Sequence, residues 1–248
     1  MKKRDRVALR RQFTDEGYVV LPRLFERRET ASWKGEIRRI LEEVARDAGG
    51  EGRRVEEHFK VGVHVGLAAR SAVFREAVAD PRLLDVIAAI CWPNIEFLSD
   101  KVVFKSADTE FGSPWHQDWP YWEGAHKLSV WIPLDDATEA NGTLRVLPGS
   151  HREPVVHDGD ASDGLGFGNR LDPSSVDESE AVTVELEAGG AIFFHDLLLH
   201  ASHPNRSGED RWVWIPTYRD AAADDRHYAW SVAARVVRTE TPELDVGT

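Results

Sequence analysis

The sequence predicts a mainly β fold, a jelly roll (double-stranded β-helix, cupin-like) buttressed by N-terminal helices, and three observations carry that expectation. Helical periodicity is confined to the stretch before Ile95. Strand signals dominate after it. No repeat and no linker divides the 248 residues, so one domain spanning 1–248 is expected, long enough to bury a substantial core. Helices first and strands later argue against a doubly wound sheet, in which the two alternate.

Taken in order, Trp33, Ile37, Ile40, Leu41 and Val44 recur at helical spacing, and Gly49-Gly50 acts as the stop. A second helix is expected from Asp80-Pro81, an N-cap followed by the residue best suited to a first turn. Leu83, Leu84, Ile87 and Ile90 form its apolar face. Strands are expected at 95–105, 127–134, 143–147, 182–186, 191–194 and 211–218, where β-branched and aromatic runs lie between turn residues. Residues 157–181 are rich in Gly, Ser and Asp, and a connection of that length reads as a lid, with plain disorder as its rival.

Composition narrows the function. The net charge is −12 and the pI about 5.3, which disfavours a nucleic-acid partner. The single cysteine, Cys91, lies in an apolar run and has no internal disulfide partner, which fits a reducing compartment. Met1-Lys2-Lys3-Arg4 is followed by no apolar stretch, and no run is long enough to span a bilayer. A cytoplasmic protein with a small-molecule partner and no membrane partner is expected.

The chemistry concentrates in Pro114-Trp115-His116-Gln117-Asp118-Trp119-Pro120-Tyr121-Trp122. On extended backbone, His116 and Asp118 lie on one side, because successive side chains alternate. His200, in Leu197-Leu198-Leu199-His200-Ala201-Ser202, is available as a third ligand. Two imidazoles and a carboxylate cover one face of an octahedral metal and leave three positions open, the set used by non-haem Fe(II) oxygenases. The same ligands also suit Zn or Mn in a non-redox cupin-like metalloenzyme, or a metal-binding protein without catalysis. Other histidines read more simply. His151 closes Leu147-Pro148-Gly149-Ser150 as a turn residue, and His195 ends an apolar strand as a core histidine or a support for the ligands.

Trp115, Trp119, Tyr121 and Trp122 flank His116, either as core packing or as the wall of a water-poor pocket. Arg211, eleven residues past His200, shares a strand face with Val213 and Ile215. A charge among apolar neighbours is costly unless paired. A structural salt bridge or an exposed strand end would satisfy it; so would a bound dicarboxylate, gripped through two parallel hydrogen bonds. Arg206 is the rival cation, in a turn.

Several of these segments together resemble one family. His116-Gln117-Asp118-Trp119, Trp131 in Leu128-Ser129-Val130-Trp131-Ile132, Asn141-Gly142-Thr143-Leu144, Pro148-Gly149-Ser150-His151 and His200-Ala201-Ser202-His203-Pro204-Asn205-Arg206-Ser207 are similar, in order, to the phytanoyl-CoA dioxygenase family. The likeness runs from about Gln12 to Tyr218. It implies a jelly roll and an enzyme that uses Fe(II), 2-oxoglutarate and O2, with His116, Asp118 and His200 as metal ligands. It also implies that Arg211 and Ser202 hold the distal carboxylate of 2-oxoglutarate, that Trp131 lines that pocket, and that Lys60 touches the co-substrate. The reaction implied is hydroxylation of an organic C–H bond, with succinate and CO2 as co-products. Asp118 retains the carboxylate that halogenating relatives lack. The family's substrates vary widely, so its name does not identify this chain's.

Overall fold

Alternating side chains decide how the strands of this chain stack. In the computed structural model, which describes residues 2–47, 61–107, 112–122, 124–157, 170–225 and 233–240, all strand pairings are antiparallel. The strands are β1 (Tyr18–Leu21), β2 (Val61–Val65), β3 (Ile95–Lys105), β4 (Lys127–Pro133), β5 (Leu144–Val146), β6 (Val182–Val184), β7 (Ala191–His195), β8 (His200–Ser202), β9 (Arg211–Asp220) and β10 (Arg235–Arg238). The large sheet has the order β1-β7-β4-β9-β3-β10, with β2 also on β3, and the small sheet has the order β6-β5-β8. These face each other as a jelly roll.

One core fills the space between the sheets. Trp131, Ile192, Phe194, Val213 and Ile215 from the large sheet meet Leu144, Val146 and Val184 from the small one. The other face of the large sheet carries the intervening residues, Val102, Phe104, Leu128, Val130, Trp212 and Trp214, and packs against the helices. Those helices are α1 (Lys3–Glu16), α2 (Arg27–Asp47), α3 (Leu67–Arg70), α4 (Ala72–Ala77) and α5 (Pro81–Ile90). Trp214 is gripped by Trp33 of α2 and Phe74 of α4 at ring separations of 5.1 and 5.2 Å. Its indole N–H donates to the buried carboxylate of Asp100 at 3.0 Å, which also accepts from Ala68 N at the start of α3. Among the described residues no helix is long and apolar enough to cross a membrane.

The expected elements are present with small differences. Asp80 caps α5, accepting from Arg82 N at 2.8 Å. Strand β3 has the expected bounds, whereas β6 stops at Val184 and leaves Leu186 as an isolated bridge to Ala137. Periodicity did not reveal α1, β1, β2, β8 or β10. Helix α1 is charged nearly all round and fully buries Phe13 alone, so it carries little amphipathic signal. Within the expected lid, 158–169 lie outside the described residues. The remainder is seated on the body: Leu171 N donates to Trp115 O at 3.0 Å, and Glu178 accepts from Trp115 Nε1 at 2.7 Å.

Candidate active site

The site begins with one two-residue backbone bridge. His116 and His200 exchange both main-chain hydrogen bonds, each 3.0 Å. Directly opposed residues of an antiparallel pair put their side chains on the same face, and the two imidazoles lie 4.2 Å apart, centroid to centroid. Asp118 returns to that face two residues on. Its Oδ1 is 3.8 Å from His116 Nε2 and 3.9 Å from His200 Nε2. Donor atoms of all three residues lie within 4.8 Å of one another, a span one ion can bridge.

Gln117 shows why the turn holds. It points the opposite way, is fully buried, and staples the loop: its amide nitrogen donates to Glu153 O and Leu197 O, and its Oε1 accepts from Val155 N. The main-chain carbonyl of Asp196 accepts from both Asp118 N and Trp119 N, at 2.9 and 3.0 Å, fixing the 3-10 turn over Trp119–Tyr121. The carboxylate of Asp196 is buried and takes Lys127 N, Trp122 Nε1 and His126 Nδ1 at 2.8–3.1 Å. His195 Nδ1 also lies 3.0 Å from it. His195 therefore supports the 116–122 segment through Asp196, and His151 stands beside it as a turn histidine, with ring centroids 5.6 Å apart.

Protonation in the site suits metal binding. Nδ1 of His116 and of His200 faces a carbonyl, Pro114 O at 2.8 Å and Leu198 O at 2.9 Å. A carbonyl can only accept, so each Nδ1 carries the proton and each Nε2 presents its lone pair to the site. Burial, and for His116 also the neighbouring His200, push both imidazoles down, His116 to about 3. Burial works against the charge on Asp118, but Lys101, His200 and His116 outweigh it and hold its pKa below the usual carboxylate value. Two neutral imidazoles and an ionised carboxylate result. Among the described residues Asp118 Oδ2 is buried without a hydrogen-bond partner, which fits a role as a cation ligand. The donor set and this orphaned oxygen fit Fe(II).

A second group of polar residues lies on the same inner face. Arg211 is 1% exposed, stands 5.7 Å from the centre of the Trp131 ring, and its Nε has no partner. Burial lowers its pKa to about 10 despite the field of Asp135. The Asp135 carboxylate is itself engaged by Lys34 and by Trp212 N. Ser202 Oγ accepts from Ser113 N at 2.9 Å and from Lys105 Nζ at 2.8 Å. With both lone pairs used, its own proton is left for an outside acceptor. Arg206 is exposed, which removes it as a rival to Arg211. Lys60 lies outside the described residues.

The aromatic cluster divides. Tyr121 meets the His116 ring edge-on at 6.3 Å. Trp115 instead packs with Leu171, Leu199 and Ala201. Lys101 and Lys105 were not singled out in the sequence. Both sit in the inward phase of β3, where a charge among valines and phenylalanine was a readable signal.

The family model described as phytanoyl-CoA dioxygenase (PhyH) matches residues 13–213. A probable alpha-ketoglutarate-dependent hypophosphite dioxygenase of Stutzerimonas stutzeri is 28% identical over 229 residues, covering 86% of this chain and 78% of that protein. The L-proline trans-4-hydroxylase of Streptomyces griseoviridis is 30% identical over 156 residues, covering 51% of this chain and 55% of the hydroxylase. Among solved structures, EvdO2 from Micromonospora carbonacea var. aurantiaca, complexed with 2-oxoglutarate, superposes with a TM-score of 0.70. It is 24% identical and covers 93% of this chain and 96% of that one. That last likeness speaks to the fold.

Proposed function

This chain belongs to the phytanoyl-CoA dioxygenase family, and from that premise we propose that it hydroxylates a C–H bond of a small organic molecule, forming succinate and CO2 from 2-oxoglutarate. It is a 2-oxoglutarate-dependent non-haem iron dioxygenase; the site residues and the bond attacked are the proposal. The observation that carries it is Arg211, a buried cation without a partner at Nε, on the same inner face as a His-Asp-His set.

His116, Asp118 and His200 would hold Fe(II), and the fixed Nδ1 protons keep both imidazoles correctly turned for it. Bound there, Fe(II) supplies O2 activation coupled to oxidative decarboxylation of 2-oxoglutarate. Arg211 and the Ser202 hydroxyl hold the distal carboxylate, and the face of Trp131 orients both guanidinium and chain. Tyr121 shields the His116 side from water. With Asp118 a carboxylate would remain among the metal's ligands, which favours hydroxylation over halogenation. The relatives' names span hypophosphite, L-proline and phytanoyl-CoA, so they leave the class of small molecule open. The dicarboxylate clamp sets this reading above non-redox metal chemistry, which needs none.

Anaerobic addition of 2-oxoglutarate to the Fe(II)-loaded protein should give a visible charge-transfer band, and admitting O2 should give succinate. A protein that binds Fe(II) yet shows neither band nor succinate would return the site to the non-redox or purely metal-binding alternatives.

A further inference from the structure

A second set of metal-ligand types lies outside the catalytic set. His126, His195 and Asp196 have donor atoms that all lie within 4.8 Å of one another. One strand pair brings them together: β4 and β7 pair with Leu128 opposite His195, so His126, just before β4, comes alongside the end of β7. The Asp196 side chain is 0% exposed, and among the described residues its ion-pair partners are these two histidines, with no lysine or arginine. A buried carboxylate is costly unless it is paired. Its Oδ2 is fixed by two N–H donors, Lys127 N at 2.8 Å and Trp122 Nε1 at 3.1 Å. That leaves Oδ1 turned to the imidazoles, 3.1 Å from His126 Nδ1 and 3.0 Å from His195 Nδ1. The two rings stand 4.7 Å apart, centroid to centroid.

We propose that His126, His195 and Asp196 form a second divalent-metal site, open to solvent, that takes Zn(II) or a similar transition ion. Around tetrahedral Zn(II), with bonds of about 2.0–2.1 Å, neighbouring nitrogen and oxygen ligands stand about 3.3 Å apart. Both nitrogen–oxygen separations here come within a few tenths of an ångström of that. Two imidazoles and a carboxylate suit Zn(II), Co(II) or Ni(II), whereas Mg(II) and Ca(II) prefer oxygen alone. The His126 side chain is 49% exposed, so an ion can reach the site from solvent, and water completes its coordination. The ion takes the lone pair of His195 Nδ1 and displaces one contact, that of Leu197 N at 3.1 Å. In return the buried carboxylate gains a full counter-charge, which neutral imidazoles do not supply. The consequence reaches the catalytic set. Asp118 N and Trp119 N donate to the main-chain carbonyl of Asp196, so an ion held there fixes the residue from which the 116–122 segment hangs.

The test counts bound metal by equilibrium dialysis of the full chain against Zn(II) at pH 7.5. An Asp118→Ala parent, in which the catalytic set is weakened, should still hold Zn(II) with a dissociation constant on the order of 10 µM or tighter. Adding His126→Ala or His126→Gln should lower the zinc count by one per chain. Loss of a true ligand should weaken that site about 100-fold or more, beyond the 10–100-fold that losing a merely supporting contact costs. His126→Gln keeps a donor for Asp196 Oδ1, so it separates ligation from hydrogen bonding. His126 is half exposed, and circular dichroism checks that both variants are folded. Co(II) in place of Zn(II) should give visible bands in the parent that weaken in both variants, and Zn(II) should raise the parent's melting temperature more than theirs. A zinc count unchanged by His126→Gln would overturn the proposal. So would an Asp118→Ala chain that holds no zinc at about 100 µM free ion.

Discussion

Replacing Arg211 with methionine should have opposite effects on the unliganded and the liganded protein. Burial lowers the guanidinium from its ordinary value to about 10, a shift that corresponds to about 3 kcal/mol against the charged form. Methionine fills a similar volume without charge, and such replacements of buried ions are neutral or stabilising by about 1–4 kcal/mol. Without 2-oxoglutarate, the variant should therefore melt at the same temperature or several degrees higher, at about 2–4 °C per kcal/mol for this size. With 2-oxoglutarate the sign reverses. Loss of a buried charge-assisted clamp costs about 2–5 kcal/mol, so the dissociation constant should rise by about 30-fold to several thousand-fold. Scanning calorimetry of the Zn(II)-loaded protein with and without 2-oxoglutarate measures the first effect. Titration of the anaerobic Fe(II) charge-transfer band measures the second. An unchanged titration midpoint, or a parallel loss of metal affinity, would refute the clamp.

Asp118→Ala removes a buried carboxylate whose Oδ2 has no partner, so the metal-free protein should keep its fold and melting temperature; metal titration should show Fe(II) affinity lowered at least tenfold, and Fe(II)-dependent succinate should be lost. Asp196 is held at about 2 because hydrogen bonds from His126 and His195 outweigh the burial that opposes its charge. Its folded pKa is depressed, so its contribution of about 2 kcal/mol is present above pH 4 and lost as pH falls from about 4 to 2; Asp196→Asn should be destabilised by that amount at pH 7 and not at pH 2, measured by urea unfolding. Asp100 runs the other way. Burial raises it from 3.8 to about 6 despite its bonds from Trp214 and Ala68, so its stability contribution is present below pH 4 and declines as pH rises from about 4 to 6. The stability of Asp100→Asn relative to wild type should grow by about 3 kcal/mol between pH 3.5 and pH 7, and a flat difference would show that this carboxylate is not raised.

The alternation of a strand is local, and local information was legible. The phase of Arg211, Val213 and Ile215, the shared side of His116 and Asp118, and the Asp80 cap of α5 all follow from residues within a few positions of each other. The helix-then-strand order likewise indicated the jelly roll. Other features depended on partners far away in the chain. His116 meets His200 only because the two segments bridge in register, and Lys105 opposes Arg211 only because β3 and β9 pair at that register. No periodicity states a register between distant strands; sheet closure and packing of both faces impose it. The same holds for the aromatics beside His116, which the sequence groups together and the fold sends apart, Tyr121 toward the imidazole and the Trp115 indole N–H to Glu178. The sequence by itself determined which side chains could serve as ligands and which way each faced on its own strand. Tertiary structure alone decided which of them met, which buried charges were left without counter-ions, and that Asp196 would tie the ligand loop in place, because burial and cross-strand proximity belong to the assembled sheets.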